Sequence, residues 1–300
     1  AWEAASGGAT DINGLSDAKT FGTSSIMLGD ATTGTIDGAN YNTGLGIDVF
    51  AALTTGDNNV AVGFAALDAN TTAANNTAIG SQALTATTTG SNNTAVGQDA
   101  GLAITTGAHN VTIGTKSQMT NTTGNYNVSI GKESLKLLTT ASNNTALGYV
   151  TLQATTTGAD NTAVGANALQ ANTTGHSNTA VGKKALVVST TGSYNTAVGW
   201  EAGVGITSGQ SNTLMGQATG AGITDGESNA FFGMQAGYAT TTGDSNTFLG
   251  FRAGDANTTG STNTAVGRDA LSAATTVSSQ TAIGYEALKV QHTNGNNTAV

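Results

Sequence analysis

The chain of 300 residues carries a net charge of −9, has neither cysteine nor proline, and is only 9% charged. Disulfides and thiolate metal sites are therefore excluded as staples of the fold. The sparse charge, spread along the chain, offers no basic stripe to nucleic acid or to an anionic membrane, and no apolar run reaches the length of a membrane span.

Residues 1–24 hold Gly-Gly and Asn-Gly turn signals but no repeat, so Trp2 and the Ile12–Leu15 segment are expected to form a connector that caps the first coil. From Gly29 a glycine recurs every 17 residues, through Gly97 and Gly182 to Gly284, with no insertion or deletion. A short period held this strictly is the signature of a solenoid, in which each coil buries its apolar face only when a neighbour stacks on it. Residues 25–41 keep the period but place Gly34, Gly38 and Tyr41 where later coils have another consensus, and they read as an irregular transition coil. The regular array is expected over 42–300 and beyond, because Val300 falls in the middle of a repeat.

Numbered from its asparagine, a coil such as Asn93–His109 reads Asn-Thr-Ala-Val-Gly, two variable residues, Ala, Leu or Gly, variable, Ala, variable, Thr-Thr-Gly and two variable residues. The pattern predicts an all-β fold, a parallel β-solenoid or β-roll of 17-residue coils. Two short strands fit each coil, at positions 2–4 and 8–11, with turns at Thr-Thr-Gly and Asn because Gly and Asn tolerate left-handed backbone. At about 4.8 Å per coil the stack would extend roughly 75–80 Å.

Position 4 is apolar in every coil, from Leu28 to Val300, and is expected to fill the coil interior. Position 3 points to the opposite face yet also avoids charge, and a strand apolar on both faces is covered on both. In a chain without helices the simplest cover for the second face is another copy of the chain, so positions 3 and 9 are expected at a seam between subunits. Their volumes trade: Leu214 stands with Gly220, Phe231 with Gly237, Phe248 with Gly254, Met27 with Thr33, and Gly44 with Phe50. Close packing imposes such trading on residues that share one space. Ala95 with Gly101 and Ala197 with Gly203 are both small, so a side chain from a neighbouring coil, such as Leu214, is expected to lean in. Charges fall mainly at positions 6, 7, 10, 16 and 17 and mark the outside.

His109, His176 and His292 occupy three different phases of the coil and do not converge on a metal. No nucleophile stands beside a base, and no loop suits a phosphate, so neither catalysis nor a cofactor is expected. The Gly243–Asn246 run reads as turn chemistry rather than a calcium loop. Stacked Thr-Thr pairs are reminiscent of ice-binding solenoids, a distant alternative, since β-propensity and turns favour the same residues. Position 6 holds Phe64, Tyr149, Trp200, Phe251 and Tyr285, aromatics that either stack on sugar rings or cover a seam between subunits with their polar edges in water.

The Asn-Thr-Ala-Val-Gly unit, followed by Ala-Leu and joined by Asn-Thr-Thr-Gly, resembles two related groups of repeats over about residues 42–300. One is the YadA-like head repeat of trimeric autotransporter adhesins, and the other is the repetitive shaft of phage tail fibres. The 17-residue period is longer than is usual in the adhesin heads, and no stalk or membrane anchor accompanies it. The stretch from Ile12 to Ala18 resembles the connector that precedes such repeats in phage fibres. The resemblance implies left-handed coils, a homotrimer, and an extracellular place in the virion as a tail-fibre shaft. Neighbouring fibre or virion proteins and host-surface glycans are the partners it implies. A bacterial trimeric surface adhesin is the alternative.

Overall fold

The computed structural model of the chain describes residues 18–21, 25–28, 38–290 and 296–300. Trp2, Ile12–Leu15, Gly29, Thr33, Gly34 and His292 lie outside the described residues. The chain divides into two compact units, Ala1–Ser142 and Asn143–Val300, and each is all-β, with no helix among the described residues. In the first unit β1 (Ala18–Phe21) pairs antiparallel with β2 (Ser25–Leu28), filling the edge of β2 that faces away from β3 (Thr43–Leu45). Parallel pairing then continues through β4 (Val60–Val62), β5 (Thr77–Ile79), β6 (Thr94–Val96), β7 (Val111–Ile113) and β8 (Val128–Ile130). The second unit stacks its strands in parallel from β9 (Thr145–Leu147) to β18 (Thr298–Ala299), including β13 (Thr213–Met215). Partners are one repeat apart, as in Thr162 with Thr179 and Val164 with Val181. Each unit is therefore the parallel β-solenoid of 17-residue coils that the glycine period predicts.

Each regular coil contains one strand rather than two. Positions 2–4 are extended, whereas positions 8–11 form turns, because positions 7 and 9 adopt left-handed backbone: Lys184 has φ 60° and Leu186 φ 51°. The inter-coil ladder nevertheless continues through the turn, with Leu169 N–H donating to Ala185 C=O at 3.0 Å and Ala171 N–H to Val187 C=O at 3.0 Å. The third left-handed site is position 17, for example Asn92 with φ 61°, and not the asparagine of position 1. The recurrent glycine of position 5 has φ between 127° and 145°. A methyl group on Gly165 would lie 2.7 Å from the Gly182 carbonyl carbon and oxygen. Both conditions exclude a side chain, which is why this column never varies.

The strand is also turned the other way from the sequence expectation. Position 3 faces the coil interior, where Ala95, Ala180, Leu214, Phe231 and Phe248 are buried, and position 4 faces outward, where Leu45, Ile79, Leu147, Met215, Leu249 and Ile283 are exposed. The left-handed turn folds positions 8, 9 and 12 back over position 3, so the volume-trading pairs share the interior of a single chain and form no seam between subunits. A methyl on Gly220 would meet Leu214 Cδ2 at 3.0 Å, and one on Gly237 or Gly254 would overlap the ring of Phe231 or Phe248. A methyl on Gly44 would lie 3.2 Å from Phe50 Cδ2. Position 12 completes the trade: Ile104 and Ile206 fill the coils in which Ala95 with Gly101 and Ala197 with Gly203 are both small. Leu214 leans in as expected, since a methyl on Gly203 would lie 2.8 Å from its Cδ1.

The asparagine of position 1 is buried and forms a ladder along each unit. Asn178 donates its backbone N–H and its Nδ2 to Asn161 Oδ1 at 3.0 and 3.1 Å, and its Nδ2 also donates to Gly192 C=O at 2.8 Å. Gln280 continues the same ladder, its N–H donating to Asn263 Oδ1 and its Oε1 accepting from Asn297 Nδ2. Asparagine recurs there because a buried amide must use its donors and its acceptor together. Threonine hydroxyls at position 13 are committed in the same direction, as in Thr54 Oγ1 donating to Thr71 C=O at 2.8 Å.

In the coil of β7 the whole interior is polar. Thr112, Ser117, Gln118 and Asn121 occupy its four inward positions and all are buried. Ser117 Oγ donates to Ser129 Oγ at 2.7 Å and Asn121 Nδ2 to Gln118 Oε1 at 3.1 Å, while Thr112 Oγ1 has no hydrogen-bond partner among the described residues. A buried hydroxyl without a partner costs about 1–3 kcal/mol. Thr112→Val is therefore expected to stabilise this coil by about that amount, read as slower amide hydrogen exchange across residues 110–126. Unchanged or faster exchange would show that the hydroxyl is satisfied in solution.

Candidate functional site

Among the described residues there is no pocket, and no group of acidic or histidine side chains placed to hold a metal. The feature each unit presents instead is the outer face of its strands. Positions 2 and 4 alternate with the buried position 3 and point away from the coil, so a mostly threonine column at position 2 runs beside an apolar column at position 4. Leu147 is 45% and Leu249 49% exposed, while Val164, Val181 and Val198 between them are half-buried. Scattered exposed leucines need no explanation, but an apolar column that is exposed or half-buried in coil after coil is a candidate interaction surface.

Position 6 lies just beyond the glycine that ends the strand and forms one margin of this face. Phe64, Tyr149, Trp200 and Tyr285 are exposed there and Phe251 is half-buried. They share a column but do not form one platform, since residues such as Gln98, Ala166 and Gln217 intervene. Within the second unit, Arg268 lies over the rings of Phe251 at 5.5 Å and Tyr285 at 5.9 Å, which ties three successive coils by cation–π contact.

The opposite margin, positions 16 and 17, carries aromatics that the sequence reading passed over. Tyr41, Tyr126 and Tyr194 are exposed at position 17, His109 stacks on Tyr126 with centroids 4.9 Å apart, and His176 meets Tyr194 edge-on at 4.8 Å. The signal was available, because these tyrosines are separated by whole multiples of the period. Position 16 has its own ladder: Asp244 Oδ1 accepts from Glu227 N–H at 2.7 Å, and Asp244 N–H donates to Ser261 Oγ at 3.0 Å. The carboxylate of the Gly243–Asn246 run is thus engaged by backbone, in keeping with turn chemistry.

Charges behind the first margin are largely neutralised within the chain. Lys136 pairs with Glu133 at 3.2 Å, Lys184 with Glu201 at 3.3 Å and Arg252 with Asp255 at 2.6 Å. The hydrogen bond from Arg252 to Asp255 holds its guanidinium pKa above the usual value, and burial, with Asp48 adding, pushes the Asp68 carboxyl up. Nothing in this arrangement places an acid opposite a base across a cleft. Its capacity is for broad apolar and aromatic contact, repeated with the period of the coil.

In comparisons with known proteins, the chain matches no protein-family model and no curated protein. No helix among the described residues is long and apolar enough to cross a membrane.

Proposed function

We propose that this chain is the shaft of an extracellular fibre, a homotrimeric segment of a phage tail fibre that holds a receptor-binding tip away from the virion. The observation that carries the proposal is the outward column of position 4, with Leu147, Met215, Leu249 and Ile283 among its exposed members. A monomer in water leaves that column uncovered along each unit, and association of like chains removes it. The proposed subunit contact runs through positions 2 and 4, a reading supported by positions 3 and 9 being packed inside each coil. The resemblance of the Asn-Thr-Ala-Val-Gly repeats to adhesin heads and fibre shafts favours three chains and a mechanical role. Neighbouring fibre or virion proteins are the proposed partners along the shaft. Exposed Trp200, Tyr149 and Phe64 would add weak contacts to host-surface glycans, which gain by avidity when repeated.

Sedimentation of the purified chain tests the assembly. A mass near three times 29.4 kDa is expected for the native chain. The triple variant Val164→Lys, Val181→Lys, Val198→Lys is expected to sediment as a single chain with its β-type circular dichroism retained, because it charges only the outer column. A native mass of one chain would overturn the trimer, and with it the fibre.

A further inference from the structure

In the second unit the aromatic and cationic groups of position 6 engage one another at one place and stand open at another. Arg268 lies over Phe251 and Tyr285 and pairs with Asp269 at 3.1 Å. Lys184, Arg252 and Lys289 pair with carboxylates of their own chain. Among the described residues of this unit, Lys183 is the one lysine or arginine without an ion pair. It stands one coil before Trp200 in the same column, and Gln217 stands one coil after. The register of β11 (Thr179–Val181), β12 (Thr196–Val198) and β13 aligns the three residues. The ladder carries that alignment past the glycine, with Glu201 N–H donating to Lys183 C=O at 3.1 Å and Ala218 N–H to Trp200 C=O at 2.9 Å. All three residues are exposed, Trp200 at 46%. Among the described residues no ring or cation covers Trp200, and the Gln217 amide has no hydrogen-bond partner. Glu201, next to the indole in the chain, is taken by Lys184 and leaves Lys183 free.

We propose that Lys183, Trp200 and Gln217 form a subsite for a pyranose that bears one carboxylate. The inference rests on the glycan contact proposed above for the shaft and names the class of sugar and the residues that take it. The indole offers a broad apolar surface to the C–H face of a sugar ring while its N–H stays in water. At about 4.8 Å per coil, the groups one coil away on either side lie beside the ring's substituents. Lys183 holds the carboxylate by a charge-assisted hydrogen bond, and the Gln217 amide offers donors and an acceptor to the hydroxyls. One free ammonium matches one negative charge, and the chain's net charge of −9 weighs against a polyanion. An exposed contact of this kind is weak by itself and gains from being present in every chain of an oligomer.

Saturation-transfer NMR on the full chain tests the subsite, with cellobiouronic acid and sialyllactose as acidic probes and cellobiose and lactose as their neutral counterparts. Glutamine is the substitute of choice, since Gln98 and Gln217 already occupy this column. An acidic probe is expected to bind in preference to its neutral counterpart, and more weakly as salt rises. Trp200→Gln is expected to lower that affinity by about tenfold. Lys183→Gln is expected to lower it by about two- to fivefold and to remove the salt dependence. Lys116→Gln, the same change of charge in the first unit, is expected to leave it unchanged. Equal binding of acidic and neutral probes, or an affinity unmoved by Lys183→Gln, would overturn the carboxylate. Binding unmoved by Trp200→Gln, or no binding of any probe, would overturn the subsite itself. Neither result touches the assembly, because a trimer by sedimentation leaves the shaft standing and a single chain overturns it whichever sugar binds.

Discussion

Gly165→Ala is expected to destabilise the second unit by about 2–6 kcal/mol, from about 1–3 for strained backbone and about 1–3 for overpacking. The backbone at Gly165 has φ 130°, outside the range open to an L-residue at low cost. The added methyl would sit 2.7 Å from the Gly182 carbonyl carbon and oxygen and 3.1 Å from Lys183 N. All three are backbone atoms, so no side chain can rotate away and two coils must separate. Gly101→Ala in the first unit is the control. Its φ of 61° is shared by leucines at the same position in other coils, and the atoms it would meet are the flexible tips of Leu84 and Ile104. Thermal unfolding followed by circular dichroism should show a large drop in midpoint for Gly165→Ala and a small one for the control. Equal drops would mean that the recurrent glycine is no more constrained than any other.

Phe231→Ala is expected to cost about 3–5 kcal/mol, the range for removing a buried aromatic ring. Phe231 is fully buried and stacks on Phe248 with centroids 4.7 Å apart. Gly237 leaves the room that the ring fills, and its φ of 59° is one that Leu186 adopts at the equivalent place, at 51°. The double variant Phe231→Ala/Gly237→Leu recreates the Ala-and-Leu pairing of Ala180 with Leu186 and is expected to recover a large part of the loss. Gly237→Leu alone is expected to be severely destabilising, because its first carbon would already overlap the Phe231 ring. A double-mutant cycle measures the coupling. Additive losses would show that positions 3 and 9 do not share one space.

These two positions also indicate how much was legible beforehand. The glycine column is visible in any single chain because its two constraints act on every coil alike. Pairing of Phe231 with Gly237, and of Leu214 with Gly220, was equally visible, since a fixed volume must be filled from a few positions. The share of position 12 was hidden by its variability. It is buried whether it carries Ile104, Thr87 or Asn121; Thr87 Oγ1 donates to Ile104 C=O at 3.0 Å and Asn121 Oδ1 accepts from Gly124 N–H at 2.9 Å, whereas the Ser189 and Thr240 hydroxyls at the same position have no partner among the described residues. The second strand was a false reading of Ala-Leu-x-Ala, whose first two residues are inward-facing but sit on a left-handed turn. The aromatic margin at position 6 was readable as a column, whereas the tyrosines and His109 of position 17 were missed because that position also accepts Asn, Ser and Thr.

Sequence alone determined the period, the all-β class and the in-register stacking, because each follows from a spacing repeated without interruption. Tertiary structure alone decided which side of the strand is inside. Positions 3 and 4 are both apolar, and alternation along a strand separates two faces without naming either as the interior. That choice belongs to the path of the chain after the glycine, where left-handed residues at positions 7 and 9 curl the coil over position 3 and leave the larger residues of position 4 facing out.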